Sequence, residues 1–89
     1  MKDYAEIYKA SLEKWGAEAQ YDQAIKECAE LIAALKHFKR GRIGTEAVVA
    51  ELADVWLMVH QLAYMLGEDK LSQAVEEKLR KLATLLAEP

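Results

Sequence analysis

Glu27-Cys28-Ala29-Glu30 and Glu51-Leu52-Ala53-Asp54 hold the residues of this chain best suited to chemistry. Each places two carboxylates three positions apart, and a helix turning about 100° per residue projects such a pair from one side. If the two helices pack antiparallel through their apolar stripes, all four acids converge on one spot. Carboxylates gathered beside an apolar interface disfavour one another's ionisation. The convergence therefore requires a compensating cation. Oxygen donors alone suit Mg²⁺ or Mn²⁺. A di-iron carboxylate bundle would carry Glu-x-x-His on two helices, whereas His37 and His60 fall outside both motifs. Zinc is disfavoured on the same ground, and neither histidine is assigned a role.

One pair of acids at this spacing is ordinarily a solvated helix face. Two features weigh towards a site here. Both pairs border apolar stripes, and both sit mid-helix, away from a first turn where the helix dipole would account for them. Lys26 and Lys36 offer local ion pairs, but each is worth only about 0.3–0.5 kcal/mol. Mg²⁺ in an acidic pocket keeps open positions that bridge phosphoryl oxygens, which points to a phosphate-bearing substrate. Opposing positive charge has two sources, Lys78 with Lys81 or the run Lys39-Arg40-Gly41-Arg42.

The elements that must position these groups read as helices throughout. Tyr4, Ile7, Tyr8, Leu12 and Trp15 have helical spacing, with Asp3 as N-cap and Gly16 as terminator. From Ala17 to about Arg40, Tyr21, Ala24, Ile25, Cys28, Leu31, Ile32, Leu35 and Phe38 form one apolar stripe, with Gln20, Gln23, Glu27, Glu30 and Ala34 to one side. Gly41 and Gly44 break that helix. A third segment starts at Thr45 as N-cap and ends near Gly67. Its main stripe is Val48, Val49, Leu52, Val55, Trp56, Val59, Leu62, Ala63 and Leu66, and Leu57, Met58, Tyr64 and Met65 widen it. A helix apolar on more than one face is buried on more than one, which in so small a domain implies a subunit interface. Leu71, Val75, Leu79, Leu82 and Leu86 form the seam of a fourth segment, about Lys70 to Ala87. The short connections require neighbouring antiparallel helices.

The expected fold is therefore all-α, one domain over residues 1–89, a four-helix arrangement with a shorter first helix, assembled as a dimer or dimer of dimers. Its 53% apolar and 30% charged residues mark a globular chain. No apolar run long enough for a membrane span and no signal-peptide pattern is present, so a cytoplasmic location is expected. The net charge of -3 argues against nucleic acid as the main partner. Cys28, the one cysteine, lies on an apolar stripe and reads as a small buried hydrophobe.

Glu27-x-x-Glu30, a spacer of 20 residues and Glu51-x-x-Asp54 resemble the motifs of the MazG-like all-α nucleoside triphosphate pyrophosphatases. The similarity extends to Trp15-Gly16, Gln20, Glu27 to Ile32, Glu51 to Val55 and Lys78-Leu79-Arg80-Lys81-Leu82, from Trp15 to Leu82, as in the short single-domain phage and bacterial type. It implies hydrolysis of a nucleoside triphosphate to monophosphate and pyrophosphate, in house-cleaning of the nucleotide pool. Glu27, Glu30, Glu51 and Asp54 would bind Mg²⁺, Lys78 and Lys81 the phosphates, and the chain would form a homodimer or homotetramer. Within that mechanism Glu30 is the candidate general base, and Trp15 and Gln20 could stack on or hydrogen-bond a base. The doubled acid that often opens each family motif is Lys26 and Ala50 here, and the Asn before the last-helix Lys is Glu76. These departures bear on any extra metal ion and on catalytic efficiency, while the four-acid core of the resemblance stands. Two other readings stand beside it: a non-catalytic helical interaction module, and a nucleotide-binding sensor without turnover.

Overall fold

Proline occurs only as Pro89, so nothing inside the chain forces a helix to stop, and the segments run long. A computed structural model describes residues 4–89. They form three helices, α1 (Ala5–Lys39), α2 (Thr45–Leu66) and α3 (Glu68–Ala87), with no strand among the described residues. The expected count of four is corrected to three. Gly16 does interrupt the helical path, at φ 84° and ψ 169°, but helix resumes at once and the expected terminus is a kink within α1. That backbone region is open essentially to glycine alone. Asp3, expected as the first N-cap, lies outside the described residues. Thr45, expected as the next N-cap, is instead the first residue of α2, and Gly44 holds the cap position.

The turn after α1 is a Schellman closure. Arg42 N–H donates to the His37 carbonyl and Gly41 N–H to the Phe38 carbonyl, with Gly41 at φ 71°. The short turn returns α2 antiparallel to α1. Late α2 meets early α1, where Gln61 Nε2 donates to the Tyr8 carbonyl at 2.9 Å, and early α2 meets the middle of α1 at the acids. Tyr8 and Tyr64 bring their rings to 6.5 Å beside that bond.

The line along which α1 meets α2 takes one edge of the expected apolar stripes, with Ala24, Val48 and Ala63 buried and Tyr21, Leu31, Val55, Trp56 and Leu62 half-buried, and leaves their bulky outer edge open. Gln20, Ala24, Glu27 and Ala34 are the buried positions of α1 beyond the kink, while Ile25, Cys28, Ile32, Leu35 and Phe38 are exposed. Cys28 is thus solvent-accessible in the single chain, against expectation. The cause is size: small alanines on the contact line let the two helices approach, and the bulky outer edge lies about 100° round the helix. On α2, Val48 is buried and Glu51, Val55 and Met58 are half-buried, while Val49, Leu52 and Val59 are exposed. α3 leaves α2 at Gly67 and approaches α2 only, leaving α1 untouched. Its seam is exposed apart from half-buried Leu71.

Candidate metal centre

The antiparallel return brings Glu27 of α1 against Glu51 and Asp54 of α2. One carboxylate oxygen from each lies within 4.8 Å of the others. Glu27 is only 8% exposed, Glu51 is half-buried and Asp54 faces solvent. Glu27 Oε2 and Glu51 Oε2 are buried with no hydrogen-bond partner. Oxygens of that kind cost free energy unless something positive reaches them. Gln23, one turn before Glu27, donates from Nε2 to Glu27 Oε1 at 2.7 Å. Burial holds the Glu27 pKa above its ordinary value, helped by the Glu30 and Asp54 charges and opposed by the Gln23 hydrogen bond and Lys26.

These donors fit a divalent cation. Three carboxylate oxygens within 4.8 Å of one another could reach a shared divalent cation by side-chain adjustment. The two orphaned oxygens supply the reason for an ion, and the exposed Asp54 leaves the cluster open on one side.

Glu30 stands outside this trio. It lies about 60° round α1 from Glu27, 44% exposed, with an oxygen 3.9 Å from Lys26 Nζ. Lys78 and Lys81 are on α3, which does not approach α1, and Lys81 faces Glu77 at 3.9 Å. The basic run at Lys39 to Arg42 sits at the exposed far end of α1. His37 is exposed, and His60 is half-buried with its ring 4.0 Å from Trp56.

Trp15 and Gln20 do share a site. They line a cavity of about 470 Å³ at the Gly16 kink, with Ile7, Tyr8, Leu57 and Met58 as apolar walls. Three amides, Gln20, Gln23 and Gln61, are the polar side chains of the lining beside Ser11. Gln20 Nε2 donates to the Ser11 carbonyl at 3.3 Å, so Gln20 and Gln61 both anchor the segment before the kink. Gln23 belongs to the cavity and also to the acid cluster, and so joins the two. Sequence reasoning grouped Gln20, Gln23 and Glu27 on one side of the helix but assigned Gln23 and Gln61 nothing. The signal available was Gln23 one turn before a motif acid. Gln61, buried through a contact 53 positions away, left no local trace.

Comparison of the chain with models of protein families, with curated proteins and with solved structures finds no match in any of the three.

Proposed function

We propose that this chain is a Mg²⁺-dependent nucleoside triphosphate pyrophosphohydrolase, with Mn²⁺ as an alternative ion. The observation that carries the reading is the pair of buried, unpartnered carboxylate oxygens on Glu27 and Glu51, with Asp54 beside them. A bound Mg²⁺ would supply charge neutralisation on the phosphate chain and a more acidic water. The protein's part is positioning. Glu27, Glu51 and Asp54 would hold the ion, and Gln23, by binding Glu27 Oε1, leaves Oε2 available to it. Water attacks phosphorus as the bridging bond to the leaving pyrophosphate breaks, and the water proton passes to a carboxylate. Glu30, exposed and outside the trio, is the candidate acceptor.

The cavity next to the acids suits the nucleoside. Trp15 offers an aromatic face and Gln20 an amide, a combination that holds a heteroaromatic ring. Lys78 and Lys81 enter the reading only when α3 is brought against α1, a step that self-association as a homodimer or homotetramer would provide.

A second reading, binding of a nucleotide or cation without turnover, is favoured by one observation: the last-helix cations stand on a helix that does not reach the acids. A pyrophosphate-release screen over ordinary and modified nucleoside triphosphates, with Mg²⁺ and with Mn²⁺, tests the enzyme reading. Metal-dependent release that Glu27→Ala abolishes supports it. Metal and nucleotide binding without release supports the second reading.

A further inference from the structure

The two buried amides of the kink cavity come from different helices, Gln20 from α1 and Gln61 from α2, and both spend an N–H on the backbone. Gln20 Nε2 donates to the Ser11 carbonyl at 3.3 Å and Gln61 Nε2 to the Tyr8 carbonyl at 2.9 Å. A carbonyl only accepts, so turning either amide over would set oxygen against oxygen. The partners thus fix which end of each amide is nitrogen and which is oxygen.

The ends left over are the oxygens. Gln20 is 6% and Gln61 4% exposed, and neither Oε1 accepts a hydrogen bond. Neither is sealed from solvent, however. Among the described residues the sealed and unpartnered oxygens belong to Glu27 and Glu51. Gln20 Oε1 and Gln61 Oε1 therefore open onto the cavity that both side chains line. An amide with one N–H committed keeps two oxygen lone pairs against one remaining N–H. The buried polar wall is weighted towards accepting, from two helices at once. An acceptor left unpaired under a bound ligand costs free energy, so an occupant that brings N–H groups to this wall is favoured over one that brings oxygens.

We propose that the cavity selects a flat heteroaromatic ring bearing an exocyclic amino group over the same ring with a carbonyl in that place. The amino group offers two N–H hydrogens from one atom, which oxygens on two helices can share. Its oxo counterpart sets a carbonyl oxygen against the wall. Trp15 takes the face of the ring, Leu57 and Met58 supply apolar wall, and about 470 Å³ accommodates the ring with its sugar. Cytosine against uracil and adenine against hypoxanthine are the matched cases. In each pair an amino group beside a bare ring nitrogen becomes a carbonyl beside a ring N–H. The inference rests on the reading of the cavity as a nucleoside site, narrows it to a class of base, and is independent of turnover.

Nitrogen-15 NMR titration of the full chain without metal, using cytidine, uridine, adenosine and inosine at millimolar concentration, tests it at the side-chain amide signals of Gln20 and Gln61. Cytidine is expected to bind about fivefold or more tightly than uridine, and adenosine than inosine, with both amide signals moving. Gln20→Met keeps the side-chain length and removes the oxygen, so the ratio within each pair should fall towards one. Equal affinity within the pairs overturns the proposal and leaves the nucleoside reading of the cavity standing. Binding of none of the four overturns both. Tighter binding of uridine or inosine overturns the proposal, as do amide signals that stay in place while cytidine binds. A folded Gln20→Met that keeps the wild-type ratios does the same. If that variant fails to fold, the wild-type ratios and amide signals decide. Selectivity for the amino member in a protein that releases no pyrophosphate supports the proposal and removes only the hydrolase reading.

Discussion

Gln23 Nε2 donates to Glu27 Oε1 at 2.7 Å, one helical turn apart on α1, and this bond leaves Glu27 Oε2 as the oxygen without a partner. A carboxylate held by one oxygen presents the other in a fixed direction, as outer partners of metal ligands do. Gln23→Leu removes the donor while keeping most of the volume. Mg²⁺ affinity is expected to fall about tenfold or more, read by calorimetric titration. Unchanged affinity would show that Glu27 needs no such orientation.

Glu27→Gln separates the two costs of the cluster. Without metal, the variant loses a desolvated charge beside Glu30 and Asp54, so its melting temperature is expected to rise above that of the wild type. Added Mg²⁺ should raise the wild-type melting temperature with concentration and leave the variant unmoved. Pyrophosphate release, on the proposed function, drops by about a hundredfold or more. Thermal unfolding with and without Mg²⁺ checks the first two outcomes together.

The raised Glu27 pKa also fixes the sign of a pH dependence. In the folded metal-free protein Glu27 holds its proton to higher pH than in the unfolded chain, so the native state binds more protons between the two values. Stability from this group is therefore greatest below the unfolded carboxylate pKa and declines as pH rises through the folded one. Saturating Mg²⁺ reverses the trend, because the ion binds the deprotonated carboxylate. Denaturant midpoints measured across the carboxylate range, with and without Mg²⁺, should slope in opposite directions. Glu27→Gln should flatten this group's part of both.

The helices and the meeting of Glu27 with Glu51 and Asp54 were legible because both are periodic. Apolar spacing marked the segments, and acids three apart on adjoining helices had to share a side. Which edge of each stripe forms the contact was not legible. The sequence shows bulky Ile25, Ile32 and Leu35 and invites a core there, yet a lone pair of helices closes best over Ala24 and Ala34. Glu30 illustrates the limit of the i, i+3 rule, since a 60° offset carries it from the contact line into solvent beside Lys26. Gly16 was readable as a break, but whether chain or kink follows depends on the tertiary hold that Gln20 and Gln61 place on the preceding segment.

Trp15 offers a test of the cavity that spares the fold. It is 61% exposed, with Lys14 Nζ 5.1 Å above its ring, so its removal opens no core void. Trp15→Ala should change stability by no more than about 0.5 kcal/mol. Loss of a stacking surface worth about 1–3 kcal/mol raises KM for a nucleotide by roughly five- to 150-fold. Steady-state kinetics over several bases would show the loss for all of them, because every base has a face to stack.

Gly16→Ala probes the kink on which the cavity depends. No atom lies within 4 Å of the added methyl group, so any effect is conformational. At φ 84° and ψ 169° an alanine pays about 1–3 kcal/mol in backbone strain. For a domain of this size that lowers the melting temperature by about 4–8 °C per kcal/mol. The strain is relieved if α1 straightens, but straightening withdraws Ser11 and Tyr8 from the Gln20 and Gln61 amides and pulls Trp15 away from Leu57 and Met58. Thermal unfolding should therefore show the loss of stability, and nucleotide affinity should fall while Mg²⁺ affinity at Glu27, Glu51 and Asp54 holds. Equal losses of both would mean that the kink positions the acids as well as the cavity.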